Sequence, residues 1–283
     1  MSLVVQPSMF LHYNAGAFVS AGEACLVDPG ITAEETAELL GRVDGASLRF
    51  VILTHSDWDH VLGPEHLPPA TIVAQEGYTE RLDPVGVQAA LAAFERHVGV
   101  DRARSFEPPL PDLTFSDSTA VHVGELELRL EHAPGHTADM LTVYEPESAT
   151  LWAADVLSEV EIPLVVHDLA AYERTLARIA ELELATLVPG HGTATSDPAQ
   201  IRRRLDEDRG YLAELRMSVV DAIATGASLE ETVHVTAHIP LRRSPEDELV
   251  HRLNVETAYA NLGGDADPGE VGFARAWREA TQA

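Results

Sequence analysis

Lysine is absent from the 283 residues, so all 19 basic side chains are arginines. That removes a Schiff-base lysine, a phosphate-loop lysine and a Ser-Lys dyad from the available chemistry. Cysteine occurs once, at Cys25 inside an apolar run, where it reads as core. A single cysteine excludes an intrachain disulfide and a multi-cysteine zinc cluster, so any metal must be held by histidines and carboxylates. No apolar run approaches the roughly 18 to 20 residues that cross a bilayer. The opening MSLVVQPSMF has neither the basic nor the long apolar region of a secretory leader. The expectation is a cytoplasmic protein without a membrane partner. Positive charge is also scarce: 19 − 46 leaves a formal net charge of −27. A field of that sign repels phosphate backbones, so nucleic acid is not the expected partner and a small molecule is. The basic triplet Arg202-Arg203-Arg204 is read as a surface face balanced by Asp206, Glu207 and Asp208.

What is present suffices for a full core, since 45% of the residues are hydrophobic. Short apolar runs bounded by Gly, Pro and Asp read as strands around residues 17–19, 24–27, 50–53, 71–74, 121–123, 126–130, 141–144, 151–153 and 186–188. Helical patterns cover 32–42, 86–98 and 169–182, the first opened by Thr32 and Glu35 in capping-box spacing. After "GTATSD" at 192–197 strands nearly vanish, and helical patterns fill 198–225, 228–233, 245–262 and 268–280. The fold class is α/β (α+β), with sheets inside and helices outside. The organisation expected is a domain over 1–199 followed by a helical extension over 200–283.

Four short stretches follow strands and carry His or Asp: Thr54-His55-Ser56-Asp57-Trp58-Asp59-His60, Ala133-Pro134-Gly135-His136-Thr137, Ala153-Ala154-Asp155-Val156 and Val188-Pro189-Gly190-His191-Gly192. Strand ends feeding loops are where such folds gather their sites. In an extended loop His55, Asp57 and Asp59 share one side, and a bend adds His60. Trp58 either lines a pocket or anchors the loop by packing. Asp139 either accepts the free N–H of His136 or caps a turn. His132 and His167 are read as structural before they are read as catalytic.

These stretches, with the turn at Asp28-Pro29-Gly30, resemble the motifs of the metallo-β-lactamase-fold hydrolase superfamily over roughly residues 17–192. The resemblance implies a four-layer αββα sandwich with two metals at one rim. It implies that His55, Asp57 and His136 hold one metal, that Asp59, His60 and His191 hold the other, and that Asp155 bridges them. Two positions depart from the usual pattern. Ala154 replaces a glycine before the bridging Asp155, and Asp57 stands where His is usual. Zinc is placed first as the metal, with iron or manganese brought into play by the added carboxylate. The implied function is a dinuclear hydrolase in the glyoxalase II-like or lactonase-like range. A metal-bound hydroxide would attack a small ester, thioester or lactone carbonyl, with Asp59 orienting it or taking its proton. The alternative is an iron-dependent oxidoreductase, sulfur dioxygenase-like or di-iron, and a nuclease or phosphodiesterase is a weaker third. The stretch "HRLNVETAYANL" at 251–262 is similar to helical tails of other members, and such a tail would wall the pocket or form a homodimer contact.

Overall fold

The computed structural model describes residues 2–99, 105–239 and 243–282. Six strands form the first sheet in sequential order: β1 (Ser2–Pro7), β2 (Asn14–Ser20), β3 (Glu23–Val27), β4 (Ser47–Ile52), β5 (Thr71–Gln75) and β6 (Leu113–Phe115). The first three pair antiparallel, and β3 to β6 run parallel. The second sheet takes the order β11-β10-β9-β8-β7, built from β7 (Ser118–Val123), β8 (Leu126–His132), β9 (Leu141–Glu145), β10 (Thr150–Trp152) and β11 (Thr186–Val188).

The inner faces of the two sheets meet through Phe18, Cys25, Val27 and Ile52 on one side and Leu128, Leu130, Val143 and Trp152 on the other. Strand β8 shows why: its leucines alternate inward while Glu127 and Arg129 point away, the period-2 pattern of a sheet with one buried face. Each such side chain contributes about 1.5–3 kcal/mol when fully buried. Helices α1 (Ala33–Arg42), α2 (Tyr78–Arg81) and α3 (Pro84–Val98) follow strands of the first sheet, whose outer face shares a core with Leu39, Tyr78, Val87 and Leu91 of these helices. On the second sheet lie α4 (Leu169–Ile179) and α5 (Pro198–Ala224). Beyond them come α6 (Leu229–Thr236) and α7 (Asp247–Asn261), and α8 (Gly272–Gln282) packs against both α7 and α3. The result is the four-layer αββα sandwich with C-terminal helices.

Topology sets the rim. Strands β3 and β4 are parallel, and β8 and β10 are both antiparallel to β9, while β11 is parallel to β10. The loops bearing Asp28 and residues 54–60 therefore leave one end of the first sheet, and those bearing His136, Asp155 and His191 leave one end of the second. The six-residue β1 and the three-residue β6 escape the sequence pattern. Thr32 caps α1 by accepting from the Glu35 N–H at 3.2 Å. The reciprocal half of the capping box is not made, because the Glu35 carboxylate accepts instead from Ser8 Oγ at 2.6 Å and Ile31 N at 3.2 Å.

The surface reading of Arg202–Arg204 needs correction. Arg204 and Asp208, one helical turn apart on α5, are 2% and 1% exposed. Arg204 reaches Glu159 at 3.0 Å and the Thr193 carbonyl at 2.9 Å, and Asp208 pairs with Arg243 at 2.9 Å. Their face of the helix points at the rim, whereas Arg203 pairs loosely with Glu207 at 3.8 Å on the outside.

Candidate functional site

The four histidines of the sequence motifs share one arrangement. His55 Nδ1 lies 3.0 Å from Thr54 Oγ1, His60 Nδ1 3.0 Å from Asp28 Oδ2, His136 Nδ1 3.1 Å from the Leu164 carbonyl and His191 Nδ1 2.7 Å from the Leu11 carbonyl. A carbonyl or carboxylate partner requires Nδ1 to carry the proton. Thr54 Oγ1 donates to Asp28 Oδ2 at 2.7 Å, so it too accepts from its histidine. All four rings therefore present Nε2 as a lone pair in the neutral form, the tautomer a metal needs.

Those Nε2 atoms converge on the carboxylates of Asp57, Asp59 and Asp155. His55, Asp57 and His136 form one group of donors, and Asp59, His60 and His191 form another. A third joins His55, His60 and Asp155, each group having its donor atoms within 4.8 Å of one another. Asp155 sits between the two ends, with Oδ1 3.2 Å from His60 Nε2 and Oδ2 3.5 Å from both His136 and His191. His55 Nε2, His60 Nε2 and Asp155 Oδ1 are buried without a hydrogen-bond partner. Orphaned donors of this kind, all aimed at one space, fit bound metal. Gly190 keeps that space open, because a Cβ there would collide with Asp155 Oδ1, and Gly135 lets the His136 loop approach the Tyr172 backbone of α4.

Within the cluster the imidazoles and carboxylates share protons. Burial alone would lower the His55 imidazole, and His60 acts in the same direction, but Asp155 and Asp57 outweigh both and raise it to about 9. His60 and His191 are likewise raised well above the usual value against burial, mainly by Asp155. Burial would raise Asp57 and Asp155, yet Arg81 holds the first well below the usual carboxylate range, and His60 and His191 do so for the second.

Several supports are invisible in the sequence. Arg81, at the end of α2, donates to Asp57 Oδ1 at 2.6 Å and to Ser56 Oγ at 2.9 Å. Asp57 Oδ2 faces His136 Nε2 at 3.3 Å and His55 Nε2 at 3.4 Å. The Leu11 and Leu164 carbonyls carry no side-chain signal, and Leu11 and His12 take left-handed φ values of 55° and 52° to turn the first of them toward His191. Asp139 does not serve His136. Its Oδ2 accepts from the Ser56 N–H at 2.9 Å and its Oδ1 faces Arg81 Nε at 3.7 Å, so it braces the loop of the first motif. His132 is tied to the Ala138 carbonyl at 2.7 Å, and neither it nor His167 reaches the cleft. Trp58 does both things asked of it, lining the cleft and packing on Phe94 with ring centres 5.3 Å apart. Cys25 is buried between the sheets, where desolvation raises its thiol.

The "HRLNVETAYANL" stretch forms most of α7 and works as a clamp. Asn254 accepts from the Val165 N–H at 2.8 Å and donates to the Pro163 carbonyl at 2.7 Å, which fixes the loop whose Leu164 carbonyl holds His136. Glu256 accepts from the Gly272 N–H at 2.9 Å and from Arg275 at 3.0 Å, which fixes the start of α8. That helix in turn walls a cleft of about 660 Å³ whose floor is Asp57, Asp59, His136, Asp155 and His191.

A sequence profile of the metallo-beta-lactamase superfamily matches residues 9–191, and the chain belongs to that superfamily. Hydroxyacylglutathione hydrolase of Cereibacter sphaeroides is 29% identical over 207 residues, 72% of this chain and 69% of that protein. An atrochrysone carboxyl ACP thioesterase of Paecilomyces divaricatus is 31% identical over 173 residues, 52% of this chain and 54% of that one. The chain thus spans from about two fifths to about two thirds of the length of the curated relatives it matches. A solved metallo-beta-lactamase family protein from Thermus thermophilus superposes with a TM-score of 0.61 at 22% identity, covering 88% of this chain and 91% of that chain. The family and its hydrolase-named relatives support a hydrolase, and the structure brings together His and Asp groups that could hold metal. Among the described residues no helix is long and apolar enough to cross a membrane.

Proposed function

We propose that the chain is a dinuclear metallohydrolase that cleaves a small carbonyl ester, thioester or lactone. The observation that carries this reading is the common tautomer of four histidines, each held through Nδ1 and each offering Nε2 to one space shared with three aspartates. In that space His55, Asp57 and His136 would hold one ion and Asp59, His60 and His191 the other, with Asp155 available to both. When bound, two divalent cations supply an acidified water as nucleophile and positive charge at the substrate carbonyl oxygen. Asp59, which lines the cleft, orients the attacking water and takes its proton. The net charge of −27 and the acidic cleft support a small-molecule substrate over a nucleic acid.

Zinc is the proposed metal, and Arg81 supports it. Replacing a neutral imidazole by the Asp57 carboxylate adds one negative charge, and the guanidinium 2.6 Å away returns one positive charge. Arg81 also faces Asp139 at 3.7 Å, so it offsets part of the added charge and weakens the preference for a harder ion. An oxygen donor remains in place of nitrogen, which keeps an iron-dependent oxidoreductase as the second reading.

One preparation separates the readings. Protein purified under argon is assayed for metal, for oxygen uptake and against thioester, ester, lactone and phosphodiester substrates. Two zinc ions and oxygen-independent, chelator-sensitive hydrolysis of a carbonyl substrate are expected. Stoichiometric iron with oxygen consumption would replace this reading by the second. Fully loaded protein that turns over no carbonyl substrate would overturn it.

A further inference from the structure

We infer that the cleft beside the His/Asp cluster is an acyl-chain site, which makes the substrate an ester or thioester of an uncharged, medium-length hydrocarbon acid. This rests on the hydrolase reading above and adds to it the chemistry of the group being transferred.

The wall of the cleft is the first ground. Phe273, Ala276, Trp277 and Ala280 all line it. They fall at i, i+3, i+4 and i+7 on α8, one stripe of the helix, while Arg275 and Arg278 turn away to Glu256 and Glu270. An amphipathic helix normally spends such a stripe on the core. Here part of it faces a space of about 660 Å³, within the range of small-molecule sites and larger than the reacting carbonyl alone needs. Trp58 and Val87 complete an apolar enclosure from the first-sheet side. The wall is fixed: Glu256 holds both Gly272 N and Arg275, and Trp277 Nε1 donates to Asp83 Oδ2 at 3.0 Å.

Charge is the second ground. Among the described lining residues, Arg81 is the single guanidinium, and its charge is directed to Asp57 and Asp139. Two divalent ions would more than offset Asp57, Asp59 and Asp155 at the floor, while Asp83 and Glu161 face the outer cleft. A thiol or acyl group bearing carboxylates, as glutathione does, would meet like charge in the outer cleft and no arginine among its described lining residues. A hydrocarbon chain meets no like-charge repulsion from those carboxylates and gains the apolar wall.

The test uses the zinc-loaded full chain and thioesters of N-acetylcysteamine carrying acetyl, butyryl and octanoyl groups, with a lactoyl-glutathione thioester alongside. Thiol release is read by a disulfide reagent. The value of kcat/KM should rise roughly fourfold for each methylene added, following the transfer free energy of a buried CH2. Trp277→Ala should cut the octanoyl-to-acetyl ratio by about tenfold, the worth of burying part of an aromatic wall. Ala276→Phe, which fills the cleft and removes no packing, should cut the same ratio. Calorimetry with octanoate and acetate gives a readout without turnover, and only octanoate should bind, weakened by Trp277→Ala. Octanoate binding without hydrolysis of any thioester would keep this site and overturn the hydrolase reading. Hydrolysis with no dependence on chain length, or preference for the glutathione thioester, would keep the hydrolase and overturn this site.

Discussion

Arg81 Nη2 and Asp57 Oδ1 lie 2.6 Å apart, while the other oxygen of the same carboxylate faces His136 and His55. One ligand oxygen is thus reserved for the cluster and the other for a guanidinium that offsets part of its charge. Asp57→His would restore the usual donor but leave Arg81 beside a neutral ring and a cation. The single variant should bind the first ion about a hundredfold more weakly, and Asp57→His with Arg81→Met should recover at least roughly tenfold of that loss. Metal titration with a chromophoric chelator measures both. A double variant no better than the single would separate Arg81 from the charge argument.

Asn254 touches no expected ligand, yet it holds the segment 163–165 whose Leu164 carbonyl orients His136. Asn254→Ala should lower stability by about 1–3 kcal/mol, since it strands a buried N–H and a buried carbonyl. It should also weaken one ion by about tenfold. A fall in the denaturation midpoint with both ions bound as in the parent would assign Asn254 to the fold alone.

Ala154 adopts φ 50°, a left-handed conformation that strains any side chain with a Cβ. Ala154→Gly should stabilise the chain by about 1 kcal/mol and leave the metal content unchanged, as read by urea denaturation and elemental analysis. Lower stability would mean that packing of the Ala154 methyl outweighs the backbone strain.

The metal-free protein should respond to pH through His55. Its pKa is raised from 6.5 to about 9, so the folded state binds the proton more tightly than the unfolded chain does. The resulting stabilisation is complete below about pH 6.5 and is lost as pH rises through about 9. Metal must expel those protons, so its affinity should rise across the same window. Thermal scans of chelated protein and zinc titrations at several pH values check both directions. A chelated protein equally stable at pH 6.5 and 9 would contradict the proton-sharing picture.

The donor side chains are legible because each follows a strand within a few residues, and strand ends of one polarity share a rim. Supports that act through the backbone are not. Nothing in Leu11 or Leu164 distinguishes a carbonyl that orients an imidazole from one that faces solvent. Arg81 lies 24 residues from Asp57 and meets it only because α2 follows β5 at the same rim. The burial of Arg204 and Asp208 is hidden because a charged triplet on a helix looks solvated until the neighbouring loop is in place. The tail has two readings in the sequence, and α8 resolves one of them by walling the cleft, a contact made between residues nearly two hundred positions apart.

The most direct measurement is the metal content of the full chain expressed and purified without added metal, compared with Asp57→Ala and His191→Ala. Two ions per parent chain, with one lost selectively in each variant, is the predicted result. A folded parent chain with no bound ion, or an Asp57→Ala variant that keeps both ions at unchanged affinity, would contradict a two-metal site built on these residues.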